Sequence, residues 1–415
     1  MELDVNEIAN KIEKNGGRLY LVGGAVRDEF LGKEVSDEDY CVTGLSSEEF
    51  CKLFPEVYAR GKSFEVYDLG GKEFAMARVE TKVGKGHTEF DVVTNKDITI
   101  CEDLKRRDIT INSMAKDVLT NEVIDPFLGL EDLKNKVIRA TSQSFVEDPL
   151  RVYRAARFAS EFGFDIENRT LELMKNLKGE LNELSKERVF NEFRKALKTD
   201  RPSIFFNVLK KADVLDVHFK QIYNLINVEQ PVKYHPEGDA YNHTMLAVDM
   251  CANLTTDEKV RFATLVHDLG KALTPKNLYP HHYEHDVKGV GEVVKFANSL
   301  KMPTLWKECG KTAAKEHMRG GIFNKMGVTK KVSFIENIYK TKLGLEGLEI
   351  VVESDRNCRG VKDDKVEFAK IGNMMIKEIN GDYIKEKFGV EEGVKLKQKL
   401  HEERIVWLKN MLENE

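Results

Sequence analysis

Leu19-Tyr20-Leu21-Val22-Gly23-Gly24-Ala25-Val26-Arg27-Asp28, with Ser36-Asp37-Glu38-Asp39 soon after, decides how the N-terminal part of this chain reads. The apolar run 19–22 ends in two glycines, and without a Cβ the backbone there can come close to a triphosphate. Side chains alternate along an extended segment, so Asp37 and Asp39 project from one side, roughly 7 Å apart at the backbone. Two carboxylates at that spacing suit Mg²⁺, and Glu38 between them should face the other way. Taken singly, a Gly-Gly pair is an ordinary turn and an Asp-x-Asp pair a solvated surface. Together with Arg27-Asp28 they point to phosphate chemistry.

Working outward, 415 residues of which 41% are hydrophobic are too many for one core and indicate several domains. No apolar run reaches about eighteen residues. Met1-Glu2-Leu3-Asp4 lacks the basic-then-apolar pattern of a signal peptide, so a cytoplasmic protein with no membrane partner is expected. The six cysteines (41, 51, 101, 251, 309, 358) form no C-x-x-C pair and read as reduced thiols without a zinc signature. A net charge of −5 neither supports nor excludes RNA, since a local basic surface would suffice.

Short alternating or β-branched runs at 19–22, 38–43, 64–69, 73–79, 89–93, 123–124 and 137–140 mix with helical stretches, giving an α+β head over 1–140. From Glu147 the texture becomes helical. Asp148 is placed as N-cap and Pro149 at the first helical position, ahead of Leu150-Arg151-Val152-Tyr153-Arg154-Ala155-Ala156-Arg157-Phe158. Residues 201–415 read as almost wholly helical, broken by the loop around Pro231–Gly238, and the highly charged last forty residues read as a solvated surface helix. The expected division is 1–140, 141–200, 201–230, 231–375 and 376–415.

Seven of the ten histidines (235, 243, 267, 281, 282, 285, 317) fall within 83 residues. His267-Asp268 follows the apolar Phe262–Val266, which places an imidazole and a carboxylate on a mainly buried helix. With His243 upstream and Asp355 downstream they would make a mixed nitrogen and oxygen site for a divalent transition metal. A lone histidine on an apolar helix is otherwise a core residue, and for His281, His282, His285 and His317 the sequence leaves both roles open.

Gly23-Gly24-x-Val26-Arg27-Asp28, Asp37-x-Asp39, Arg106-Arg107-Asp108 through Asn112, Ile124-Asp125-Pro126-Phe127-x-Gly129, Glu147-Asp148-x-x-Arg151 and Glu187-Arg188-x-x-x-Glu192 occur in an order that resembles the class II tRNA nucleotidyltransferases, the CCA-adding enzymes. His267-Asp268-Leu269-Gly270-Lys271 resembles the HD-domain-containing bacterial type. The resemblance implies a polymerase-β-like nucleotidyltransferase head followed by an all-helical neck, body and HD-type tail, acting on the tRNA 3′ acceptor end with CTP and ATP. It also implies Mg²⁺ in the head, Ni²⁺ or Mn²⁺ in an HD phosphohydrolase, and a homodimer through the C-terminal half.

Under that resemblance Asp37 and Asp39 hold the metal ions, with Glu73 as a third carboxylate or else a surface residue. Gly23, Gly24, Arg27, Arg106 and Arg107 face phosphates. Asp108 and Asn112, four apart on a helix, face a ribose. Asp148 and Arg151, sharing a helix face, would accept from and donate to the edges of cytosine and adenine, where guanine and uracil present the opposite polarity. Without a base to read, Asp148 is a helix cap and Arg151 a solvated cation. Arg154 and Arg157 continue the basic face toward triphosphate or base. A bacterial poly(A) polymerase is the alternative, but 59–68 lacks the Arg-Phe signature usual after its Asp-x-Asp. A non-catalytic RNA-binding protein with decayed sites is the third reading.

Overall fold

The computed structural model describes residues 4–35, 37–60, 66–82, 90–233, 235–360, 365–390 and 393–413, and the chain forms two compact units, 1–192 with 207–214 and 193–206 with 215–415. Ser36, residues 61–65 of the stretch read for an Arg-Phe signature, residue 89 and Tyr234 lie outside the described residues.

In chain order the first elements are α1 (Val5–Glu13), β1 (Arg18–Val22), α2 (Gly24–Phe30), β2 (Asp39–Thr43), α3 (Ser47–Leu53), β3 (Tyr58–Arg60), β4 (Val66–Leu69), β5 (Lys72–Met76), β6 (Arg78–Lys82), β7 (Phe90–Thr94), α4 (Ile100–Lys105), β8 (Ala115–Asp117), β9 (Val123–Ile124), α5 (Gly129–Asn135), β10 (Val137–Ile138), α6 (Arg151–Phe162), β11 (Asp165–Ile166), α7 (Asn168–Asn176) and α8 (Lys186–Leu197). Seven strands form one mixed sheet in the order β3-β4-β5-β2-β1-β8-β9. The period-two alternation of β1 and β2 supplies two cores. Leu19, Tyr40 and Val42 join Phe50, Phe54 and Phe74 on one side, while Tyr20, Val22 and Cys41 join Ile100 and Leu104 on the other. Asp39 shares the parity of Cys41. Glu38 takes the opposite face, accepting from Tyr40 Oη at 3.0 Å and pairing with Lys72.

Three strands escaped the sequence reading. β3 and β8 are three residues long, and β8 exists because β1 pairs it through Tyr20↔Asp117 to Val22↔Ala115. β11 pairs in parallel with β10, so the stretch expected to be all helix from Glu147 carries a strand. Such short strands are specified by a partner, which no local pattern encodes.

The later helices are α9 (Ser203–Lys211), α10 (Leu215–His218), α11 (Lys220–Tyr223), α12 (Ala240–Leu254), α13 (Glu258–Val266), α14 (His285–Ser299), α15 (Thr304–Gly321), α16 (Val328–Tyr339), α17 (Gly344–Asn357), α18 (Phe368–Glu378), α19 (Gly381–Phe388) and α20 (Gly393–Glu413). In the second unit Phe193, Phe205, Phe206, Phe219, Phe262 and Phe296 pack ring on ring. The expectation of a solvated C-terminal helix is corrected. Leu408 of α20 is fully buried in the cluster that also holds Cys251, Val332 and Leu348, and Arg404 Nη1 donates to Glu336 at 2.8 Å. Sparse apolar positions, Leu408 above all, suffice to dock it. Among the described residues no helix is long and apolar enough to cross a membrane, and all six cysteines are free.

Candidate active sites

The first site lies on the face of the sheet that carries Asp39. In the parallel pair of β2 and β5, Asp39 stands opposite Glu73, and an open cleft is lined by Val22, Asp39, Glu73, Arg78, Arg106 and Arg107. Partial burial, with the Glu73 and Asp37 carboxylates, pushes the Asp39 carboxyl above its ordinary range while Arg107 opposes the shift. Asp37 precedes β2 in irregular backbone. Among the described residues these three carboxylates do not converge within 4.8 Å. Hard oxygen donors gathered on one face of a sheet are a fit for a divalent cation.

Gly23 has φ +72°, and a Cβ added there would stand 2.7 Å from Arg107 Nη1. Arg107 Nη2 reaches Asp103 at 3.3 Å, and its buried Nε has no hydrogen-bond partner among the described residues. This guanidinium therefore has a donor to spare beside Asp39. Burial works against the charge on Asp103, yet Arg106 and Arg107 outweigh it and hold the carboxyl below the usual range. Gly23→Ala is expected to cost about 1–3 kcal/mol in backbone strain and to displace Arg107. Thermal unfolding together with a roughly tenfold higher KM for nucleotide would show it, the size of one charge-assisted hydrogen bond.

Several residues expected at nucleotide contacts are hydrogen-bonded to one another. Arg27 is buried, with Nε on Asp28 at 2.9 Å and Nη1 on Asn112. Asn112 Nδ2 donates to Asp108 Oδ1 at 3.3 Å, and Arg154 Nη2 pairs with Asp108 Oδ2 at 2.6 Å. Burial disfavours the Asp108 charge, but Arg154 and Arg151 outweigh it and keep the carboxyl below its usual range. The expected helix over Asp108 and Asn112 is corrected: Ile109 is extended (φ −134°, ψ 151°) and Thr110–Asn112 is a 3-10 turn, which folds both side chains inward. Arg157 is buried too, with Nε on Glu192 at 2.8 Å and its guanidinium 3.6 Å from the Phe158 ring centre. It also pairs with Glu161 one turn along α6.

Asp148 and Arg151 are likewise engaged. Asp148 precedes α6 in extended backbone, so the shared helix face is corrected to a turn; its Oδ1 accepts from Leu150 N at 3.0 Å and its Oδ2 from Arg188 at 3.1 Å. Arg151, read as solvated or base-facing, is buried and donates to the carbonyls of Ser144 and Arg106 at 2.5 and 2.6 Å.

The second site is built by α12, α13, the turn after it, α14, α15 and α17. His243 Nε2 lies 3.0 Å from Asp355 Oδ1 and 3.5 Å from Asp268 Oδ2; His267 Nε2 lies 3.2 Å from Asp268 Oδ2 and 3.8 Å from Asp355 Oδ1. His243 Nε2, His267 Nε2 and Asp268 Oδ1 are buried with no hydrogen-bond partner among the described residues. Three orphaned buried ligand atoms in one place fit a bound cation. His285 and His317 approach Asp268 Oδ1 at 3.3 and 3.5 Å. A Cβ on Gly270 would come 1.9 Å from the His285 carbonyl oxygen, so only glycine lets α14 begin close enough to deliver that ring. His282 lies apart, its ring held by Thr274 and the Glu229 carbonyl, and His281 stacks on Tyr283. Lys271, which ion-pairs with Asp268 at 2.6 Å, and Glu237 were missed by the sequence reading. Only the His-Asp-x-x-Lys spacing could have signalled the former.

Residues 19–139 match the Poly A polymerase head domain, 163–225 the family described as "Probable RNA and SrmB- binding site of polymerase A", and 240–338 the HD domain. The multifunctional CCA protein of Shewanella denitrificans is 43% identical over 308 residues, 72% of this chain and 74% of that protein. This chain belongs to the multifunctional CCA protein family. The multifunctional CCA protein of Psychromonas ingrahamii is 44% identical over 308 residues, with 72% and 74% covered. The fold is shared with a CCA-adding enzyme in complex with ATP (TM-score 0.65, 20% identity, 98% of this chain and 91% of that one). It is shared also with the Bacillus stearothermophilus CCA-adding enzyme in complex with CTP (TM-score 0.59, 20% identity, 98% and 96%). The nucleotidyltransferase and HD domains of multifunctional CCA proteins imply a dependence on divalent metal.

That dependence has a pH signature. Burial opposes the charge on His243, but the neighbouring Asp355 and Glu237 carboxylates and the Cys358 thiol outweigh it and raise its pKa well above the ordinary 6.5. Asp268 and Asp355 are held below their usual range, burial notwithstanding, by their histidine and cationic neighbours, so they stay ionised. A cation held through His243 would have to displace that proton, and its affinity is then expected to keep rising with pH above 6.5. Titration calorimetry in buffers of different protonation enthalpy should show proton release at neutral pH.

Proposed function

We propose that this chain adds C, C and A in turn to the tRNA 3′ end from CTP and ATP, without a nucleic-acid template, releasing pyrophosphate. We propose also that its HD centre hydrolyses 2′,3′-cyclic and 2′-phosphates at RNA ends. The observation that carries the first reading is the pairing of Asp39 with Glu73 across β2 and β5 beside Arg107, in a chain of the multifunctional CCA protein family.

Asp37, Asp39 and Glu73 would hold Mg²⁺, whose chemistry is to lower the pKa of the attacking 3′-hydroxyl and neutralise the leaving pyrophosphate. Gly23 lets the Arg107 guanidinium lie against the loop, where its spare Nε–H can donate to a phosphate oxygen. Asp103 keeps Arg106 and Arg107 in place. The network from Arg27 through Asn112 and Asp108 to Arg154 ties α6 to the loop at Gly23 and fixes the neck relative to the cleft. Base choice is assigned to Asp148 and Arg151, which would exchange Arg188 and two backbone carbonyls for the edge of cytosine or adenine. A base of opposite polarity would leave those buried groups unpaired, the strong form of discrimination.

In the second centre His243, His267, Asp268 and Asp355 would hold Ni²⁺ or Mn²⁺, which polarises a phosphoryl oxygen and acidifies water. We keep 1–140, 141–200, 201–230, 231–375 and 376–415 as functional segments: head, neck, body, HD domain and tail. Assembly as a homodimer through the C-terminal half follows the resemblance and is tested by sedimentation.

The deciding experiment supplies labelled CTP and ATP, alone and together, to tRNA transcripts lacking CCA or ending in CC. Two C and then one A, with no further growth, is the expected outcome. A long A tail without C would instead make the protein a poly(A) polymerase.

A further inference from the structure

Beside the HD centre, on the far side of His243 from Asp355, stands a carboxylate that none of the site's motifs contains. Glu237 Oε1 lies 2.7 Å from His243 Nδ1 and 2.9 Å from His235 Nδ1, so one oxygen accepts from two imidazoles. The two rings meet edge to face with centroids 4.9 Å apart. The Glu237 side chain is 5% exposed and its Oε2 is buried without a hydrogen-bond partner among the described residues. A carboxylate buried with half its acceptors empty is costly, and packing alone would have been served by an apolar side chain. The loop that carries it is anchored. Asp239 caps α12 by accepting from Asn242 N at 2.9 Å and takes Asn227 N on its other oxygen at 2.7 Å, which sets Glu237 against the first turn of that helix. The other group near His243 Nδ1 is the Cys358 thiol at 3.6 Å, a weak acceptor that cannot compete at that distance.

We infer that Glu237 is a positioning residue for the HD centre: it holds the Nδ1–H tautomer of His243, so that the Nε2 lone pair is aimed at the ligand atoms of Asp268, Asp355 and His267. An ionised acceptor behind a ligating imidazole also raises its basicity and hence its hold on a metal. By the same bonds it fixes His235, making a carboxylate with two imidazoles a rigid wall of the centre. The inference rests on the reading of this centre as a metal site.

The test uses the full-length protein, Mn²⁺ and Ni²⁺ as probes, and chelator competition to measure affinity. Glu237→Gln keeps the shape and an acceptor oxygen but loses the charge, and is expected to weaken binding roughly tenfold; Glu237→Ala should lose up to about 100-fold. Long-range ¹H–¹⁵N spectra recorded at a pH high enough for His243 to be neutral should show its Nδ1–H tautomer in the wild type and the loss of that tautomer in Glu237→Ala, while CCA addition is unchanged in both variants. Wild-type affinity in Glu237→Gln and Glu237→Ala, or a His243 that is Nε2–H in the wild type, overturns the inference. Should Glu237→Ala fail to fold, Glu237→Gln alone decides. A wild-type protein that binds neither ion would instead refute the metal reading itself.

Discussion

Asp39→Ala, and separately Asp37→Ala, should lower CCA addition by about 10³-fold or more, the loss of several kcal/mol of transition-state stabilisation, while tRNA binding changes little. The two effects separate because these carboxylates are assigned to the reacting phosphates and, being anions, add nothing to the attraction of the RNA backbone. Stability provides an internal control. Burial and the Glu73 and Asp37 charges hold the Asp39 carboxyl above its ordinary pKa, so its ionisation at neutral pH opposes folding. A group raised in this way stabilises only below its unfolded pKa, and its removal should leave the melting temperature at pH 7 unchanged or higher. Single-turnover addition of CMP, filter binding of tRNA and thermal melts together check it. Wild-type addition by either variant would refute the metal assignment.

His267→Ala should abolish phosphohydrolase activity and metal retention while CCA addition stays within about twofold. His267 is completely buried, and its Nδ1 bonds to the Thr264 carbonyl at 2.7 Å, which leaves Nε2 directed at Asp268 and Asp355. Removing the ring deletes a ligand and leaves two carboxylates facing a cavity. A stability cost of about 1–3 kcal/mol accompanies this, the penalty for an unsatisfied buried acceptor. Metal content by elemental analysis and hydrolysis of a 2′,3′-cyclic phosphate, set against CCA addition by the same preparation, give the answer. Loss of both activities would make the centre a structural element of the second unit.

The sequence by itself determined the order of the motifs and through it the family, the mixed head and helical remainder, and the pair of chemistries. Glycine pairs, carboxylates at strand spacing and a His-Asp step are local signals, and local signals survive in one dimension. It also held the parity that separates Asp39 from Glu38. Only the tertiary structure showed which charged residues are paired with one another. Arg27, Arg154 and Arg157 carry the same charge on paper as Arg107, and Asp108 and Asn112 are as polar as any ligand-binding residue. Yet burial demands a partner for each, and the partners come from 85 (Arg27 with Asn112), 46 (Arg154 with Asp108) and 35 (Arg157 with Glu192) residues away. Glu73 became a neighbour of Asp39 through a parallel strand pairing, and Glu237 met His243 through a capped loop. Long-range pairings of this kind are settled by the desolvation of polar groups in a packed interior, an energy no local pattern records.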